Sequence, residues 1–148
     1  MPGADRPTVI DAGAFRGLME RVAHGWESGD VDEALGAFAP DAVYMEPPDI
    51  QLYVGHDQLR PYFAAVPPGT LMRLWHVSFD EMSQTGAAEY TFASGPDDDQ
   101  ADQGVAIVDV RDGLIARWRE YQVKGPADRA RFLSLEAKEW SWHIGNYP

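Results

Sequence analysis

The sequence predicts an α+β fold, with amphipathic helices packed on one side of an antiparallel sheet. Three observations carry it. Apolar residues recur at helical spacing before Phe38; from Leu71 onward the period changes to alternation; and the turn signals "QTG", "GPDDDQADQG" and "RDG" divide that second part into four strand-like runs. A length of 148 residues suits one domain over 1–148, its core at about 11–124 and a helical or irregular extension over 125–148.

Phe15, Leu18, Met19, Val22 and Trp26 form one apolar stripe, which predicts a first helix from about Asp11 to Ser28. Gly29 stops it. Asp30, with Glu33 three residues on, starts a second helix whose stripe is Val31, Ala34, Leu35 and Phe38. After Pro40, "DAVYMEPP" reads as a short strand with Ala42, Tyr44 and Glu46 on one face and Val43 and Met45 on the other. "IQLYVG" reads as a second short strand. "HDQLRPYFAAV" reads as a helix with Leu59, Tyr62 and Phe63 inward and Pro61 expected in its first turn. The four later strands are expected at roughly 71–83, 86–95, 103–111 and 114–124, paired as a meander, and the tail is expected to be helical to about Trp140.

Composition removes several function classes. Acidic residues outnumber basic ones 24 to 12, for a net charge of −12, so nucleic acid and anionic membrane surfaces are expected to be repelled. With no Cys there is no disulfide and no thiolate chemistry. The start of the chain lacks a signal-peptide core and no apolar run reaches membrane-spanning length, which reads as a soluble, cytoplasmic protein. Asp97, Asp99 and Asp102 fail calcium-loop spacing, and His24, His56, His76 and His143 are too dispersed for a local metal motif. No phosphate loop or dinucleotide fingerprint is present, so neither a metal nor a cofactor is expected.

The order of a helix, "ESGDVDEALGAFAPDAVYMEPP", "YVGHDQLRPYF", three or four strands and "GLIARWREYQV" resembles the nuclear transport factor 2-like superfamily. More narrowly, it is similar to the SnoaL-like polyketide-cyclase branch, related to ketosteroid isomerases and polyether epoxide hydrolases. The resemblance spans about Phe15 to Val123. It implies a cone, in which a curved mixed or antiparallel sheet wraps the N-terminal helices around a pocket, and a homodimer through the open sheet face. It also implies that Glu46, directly before a proline, faces the pocket, as an acid does there in the isomerase and epoxide-hydrolase branches. The isomerases' helix-one tyrosine and protonated aspartic acid would fall near Val22 and Ala106, which cannot play those parts.

The residues themselves nominate a site. Burial of Glu46 beside Tyr44, Met45 and Pro47 would disfavour its charged form, as a general base or acid needs. His76 on "LMRLWHVSFDEM" and Glu89 on the next strand are candidates for a second acid–base group; their bland readings are structural hydrogen bonding and, for Glu89, pairing with Arg73. On "RWREYQ" either Trp118 and Glu120 or Arg119 and Tyr121 face inward, giving an aromatic wall with an acid or a clamp for an anion or carbonyl. Tyr44, Trp26, Tyr53, Tyr62, Trp75 and Phe92 are candidate walls for a small apolar or aromatic molecule. The expected chemistry is cofactor-independent isomerisation, dehydration, cyclisation or epoxide opening; the alternatives are a non-catalytic binding or assembly domain and a protein-binding anchor in "EWSWHIGNYP".

Overall fold

A computed structural model describes residues 6–46, 50–95 and 97–134. Helix α1 is Ala12–Ser28, capped by the Asp11 carboxylate accepting from the Ala14 N–H and ended by Gly29 in the left-handed region (φ 71°). Its stripe is buried as the spacing requires: Phe15, Met19, Val22 and Trp26 are all within 6% exposure. Helix α2 is Val31–Leu35, capped by Asp30 accepting from the Glu33 N–H. The two helices touch where Gly25 meets Ala34; a Cβ on Gly25 would lie 2.7 Å from the Ala34 nitrogen, so only glycine permits the approach.

Six strands follow, with one further helix among them: β1 Phe38–Met45, β2 Leu52–Val54, α3 Gly55–Ala64, β3 Leu71–Asp80, β4 Thr85–Ala93, β5 Gln100–Arg111 and β6 Leu114–Pro126. They form one curved, unclosed sheet in the order β2-β1-β6-β5-β4-β3. The meander β3 to β6 is antiparallel as the alternation predicts, and β1 joins it parallel to β6. A last short helix, α4 at Arg129–Leu133, follows β6. The rest of the tail expected to be helical, from 135, lies outside the described residues.

Three expectations shift. Helix α2 ends at Leu35, so Phe38, expected on its stripe, instead opens β1, which begins before Pro40 rather than after it. Strand β5 starts at Gln100, not near 103, so half of the expected acidic loop is sheet: Ala101 is 1% exposed, Gln103 donates to the Pro126 carbonyl, and Asp102 pairs with Lys124 at 3.6 Å. Pro61 sits inside α3, not in its first turn. It lies on the exposed face, where solvent can hydrate the carbonyl that a proline leaves unpaired.

The concave face of the sheet packs on α1. Phe15 stacks on Phe79 at 4.6 Å, and Trp26 makes edge contacts with Phe63, Phe92 and Trp118. Side chains such as Phe38, Trp118 and Ile115, each 0–1% exposed, contribute about 1.5–3 kcal/mol apiece by leaving water. Glu120 and Gln122 on β6 share this face with Trp118, whereas Arg117, Arg119, Tyr121 and Val123 take the outer one.

Candidate functional site

Strand register assembles the site. Parallel pairing sets Tyr44 on β1 beside Trp118 on β6; two residues further along each strand, Glu46 comes beside Glu120, and Gln122 follows. Across β5 the neighbours are small. Ala106 lies opposite Glu120, and Gly104 opposite both Gln122 and Tyr90. A Cβ on Gly104 would lie 2.7 Å from the Tyr90 hydroxyl, so the glycine makes room for that ring. Helix α3 brings Tyr62 and Phe63, and α1 brings Trp26, to close a cavity of about 60 Å³. Tyr44, Glu46, Phe92, Glu120 and Gln122 also line it.

One hydrogen-bond network runs through it. Trp118 Nε1 donates to Glu120 Oε1 at 2.7 Å, and the Tyr44 hydroxyl donates to the same oxygen at 2.5 Å while standing 3.4 Å from Glu46 Oε2. Tyr62 donates to Glu46 Oε2, and Gln122 Nε2 donates to Glu46 Oε1 at 3.0 Å. Tyr90 donates to Gln122 Oε1 at 2.6 Å, which fixes the amide with its NH₂ toward Glu46. Tyr44 has a single proton and two carboxyl neighbours, so it bridges Glu46 and Glu120.

Glu120 is 3% exposed. Burial, and then the nearby charge of Glu46, push its carboxyl up to about 8, so it holds a proton at neutral pH. The hydroxyls of Tyr44, Tyr62 and Tyr90 are pushed up as well, first by burial and then by the adjacent carboxyls, and serve as donors, not phenolates. The arrangement provides an acid and a neighbouring carboxylate able to accept a proton, joined by a tyrosine, in a wall of aromatic rings.

The inward residues on the last strand are therefore Trp118 and Glu120. Arg119 and Tyr121 stand on the outer face. Tyr53 lies behind the wall, stacked on Tyr62 at 4.3 Å. His76 and Glu89 do not join the cluster. A bulge between Leu74 and Val77 lets Trp75 and His76 both reach outer-face partners, Thr91 and Glu89. His76 is 93% exposed there, and Glu89 is bonded by Arg129 at 2.7 Å, a contact that together with His76 holds its carboxyl below the usual range. Arg73, the partner weighed for Glu89, instead pairs with Glu27 at 2.6 Å. Gln122 and Tyr90 are the participants that sequence reasoning missed; each shares strand parity with a residue it did find, Glu120 and Phe92. Ala106, the position where the resemblance would place an acid, has Glu120 directly across the ladder.

Among the described residues no group of three or more His, Asp or Glu side chains could hold a metal ion, and no helix is long and apolar enough to cross a membrane.

No curated protein matches the sequence. Solved structures do. A protein of unknown function with a cystatin-like fold from Methylobium petroleophilum PM1 superposes with a TM-score of 0.70 at 18% identity, covering 82% of this chain and 83% of its own. A putative ketosteroid isomerase from Kribbella flavida DSM 17836 gives 0.65 at 18%, covering 78% and 82%. An LEH-like epoxide hydrolase from M. tuberculosis gives 0.59 at 21%, covering 74% and 82%. Similarity at these identities establishes the fold. The SnoaL-like domain model matches residues 19–118, more than half of the chain. The protein belongs to the SnoaL-like domain family of the nuclear transport factor 2-like superfamily.

Proposed function

We propose that the protein is a cofactor-independent acid–base enzyme acting on a small apolar or aromatic molecule that carries a carbonyl or an epoxide. The observation that carries this is the Glu46–Tyr44–Glu120 constellation: a buried acid that keeps its proton, bridged to a second carboxyl at the wall of an aromatic cavity. In carbonyl chemistry Glu46 takes the proton on the carbon next to the carbonyl, and the Glu120 proton goes to the oxygen as the enol forms. Returning a proton to a different carbon completes an isomerisation, and elimination or ring closure from the enol gives dehydration or cyclisation. In epoxide chemistry Glu46 takes a proton from water as that water attacks carbon; the C–O bond breaks and its oxygen receives the Glu120 proton. The likeness in fold to structures described as an isomerase and an epoxide hydrolase supports this range and does not choose within it.

Tyr62 and Gln122 orient Glu46, Trp118 orients Glu120, and His76 and Glu89 enter no step. The test is turnover of a panel of apolar epoxides and unsaturated ketones by the wild type and Glu46→Gln. The amide should lower turnover by about 100-fold or more while the protein remains folded; equal turnover sinks the assignment.

A non-catalytic ligand store or sensor is the second reading, favoured by the small cavity and the mutual satisfaction of its polar groups. It requires tight ligand binding with no turnover in either protein. Homodimerisation through the outer sheet face belongs to the same proposal. Exposed Tyr121 and Val123 and the buried, unpartnered Nε of Arg119 favour it, and sedimentation equilibrium decides it.

A further inference from the structure

Four neighbouring strands, β1, β6, β5 and β4, are joined by one line of hydrogen bonds. Tyr90 on β4 and Gln122 on β6 both stand opposite Gly104 on β5, and the Tyr90 side chain passes over that glycine to reach Gln122, across two strand spacings of about 4.8 Å each. A side chain on Gly104 would close the path, since its Cβ would stand 2.7 Å from the Tyr90 hydroxyl. That hydroxyl donates to Gln122 Oε1 at 2.6 Å, and Gln122 Nε2 donates to Glu46 Oε1 at 3.0 Å. Tyr90 is only 2% exposed, so its proton is committed to a partner inside the protein.

An amide has two unlike edges. With its NH₂ toward Glu46 it stabilises a charged carboxylate; with its oxygen turned that way it would repel the charge and accept a proton from the neutral acid. Shape does not choose between the two, because amide oxygen and nitrogen are nearly the same size. Tyr90 does. Its single proton needs an acceptor, and only the oxygen edge of Gln122 supplies one.

We propose that Tyr90 decides which of the two carboxyls is the base: by fixing the Gln122 amide it keeps the charge on Glu46 and leaves the shared proton on Glu120. This rests on the acid–base reading given above and adds to it a positioning residue that acts through Gln122. The other donors around the pair are Tyr44 from β1, Tyr62 from α3 and Trp118 from β6; Tyr62 supports Glu46, and Trp118 and Tyr44 support Glu120. No Lys, Arg or His lines the cavity to fix the charge instead. Gln122 is therefore the one neighbour in this network whose preference can reverse. Without the Tyr90 hydroxyl the amide is free to turn, the proton can pass to Glu46, and an acid then stands where the base is needed.

The Tyr90 hydroxyl also comes within hydrogen-bonding reach of Glu120. A direct action there has the opposite sign, because losing a donor would strengthen the hold of Glu120 on its proton. The experiment is a ¹³C titration of the glutamate carboxyls in wild type, Tyr90→Phe, Gln122→Met and the double variant, with the two resonances assigned by Glu46→Gln and Glu120→Gln. Near neutral pH, where the pair holds one proton, the shifts give the ratio of protein protonated at Glu120 to protein protonated at Glu46. Tyr90→Phe should lower that ratio at least about 10-fold, the margin of one hydrogen bond to a charged group. Gln122→Met removes the donor to Glu46 and leaves no amide to turn; it should lower the ratio as well, and adding Tyr90→Phe should lower it no further. A ratio unchanged or raised by Tyr90→Phe overturns the proposal, as does an equal fall when Tyr90→Phe is added to Gln122→Met, or an unchanged ratio in Gln122→Met alone. Turnover separates this from the reading it rests on. If turnover of a ketone or epoxide depends on Glu46 while the proton stays on Glu120 in Tyr90→Phe, only the positioning role is refuted. If the proton moves as described and no panel member is turned over, the charge assignment stands and the acid–base enzyme falls.

Discussion

Replacing Glu120 by Gln should flatten the dependence of stability on pH. In the native protein burial and the neighbouring Glu46 raise the Glu120 carboxyl from its ordinary value of 4.5 to about 8. A carboxyl raised in this way favours folding while it is protonated. Its contribution is complete below 4.5, declines as pH rises, and is lost once pH passes about 8, because in between the native state holds a proton that the unfolded chain has released. Each unit of that interval is worth at most about 1.4 kcal/mol, so the ceiling is about 5 kcal/mol. A slope of about 1 kcal/mol per pH unit between pH 5.5 and 7.5 is the working expectation. The amide introduced by Glu120→Gln would keep an acceptor for Trp118 and Tyr44 and turn an N–H donor toward Glu46, at no cost in charge. The assay is urea unfolding followed by tryptophan fluorescence, since Trp26 and Trp118 are buried. The quantity read is the stability of wild type minus that of Glu120→Gln at successive pH values. It should fall steadily over the interval, with the variant the more stable above pH 8. Parallel stability curves would refute the buried, protonated carboxyl and the acid role built on it.

Trp118→Phe should push Glu120 higher still, since the Trp118 hydrogen bond favours the charged form; carboxyl ¹³C shifts across a pH titration give the direction. Gly104→Ala should destabilise by about 1–3 kcal/mol, because the added methyl would meet the Tyr121 carbonyl at 2.8 Å as well as the Tyr90 hydroxyl, and a carbonyl of the neighbouring strand cannot swing aside. Denaturant midpoints check it.

What the sequence displays and what it conceals about this site follow from how many strands each feature needs. The α1 stripe, the Asp30 cap and the alternation after Leu71 are local, and each is where its period and its cap place it. Glu46 was legible because its inward parity is fixed by Tyr44 within the same strand. Glu120 was not, because alternation on "RWREYQ" makes two faces and only the pairing of β6 with β1, across more than 70 residues, selects the one with Trp118. His76 misled for a related reason: strict alternation cannot see a bulge, and the extra residue between Leu74 and Val77 puts His76 on the outer face beside Glu89. A carboxyl shift of this kind is likewise a product of two strands. Glu46 alone at the end of β1 is a partly solvated acid, and Glu120 alone would be a costly buried charge; brought into register, with Ala106 and Gly104 leaving the space and Tyr44 between them, they form one hydrogen-bonded network in which Glu120 keeps its proton. The acid that the resemblance leads one to seek at Ala106 is absent there, and a carboxyl, Glu120, stands directly across the ladder.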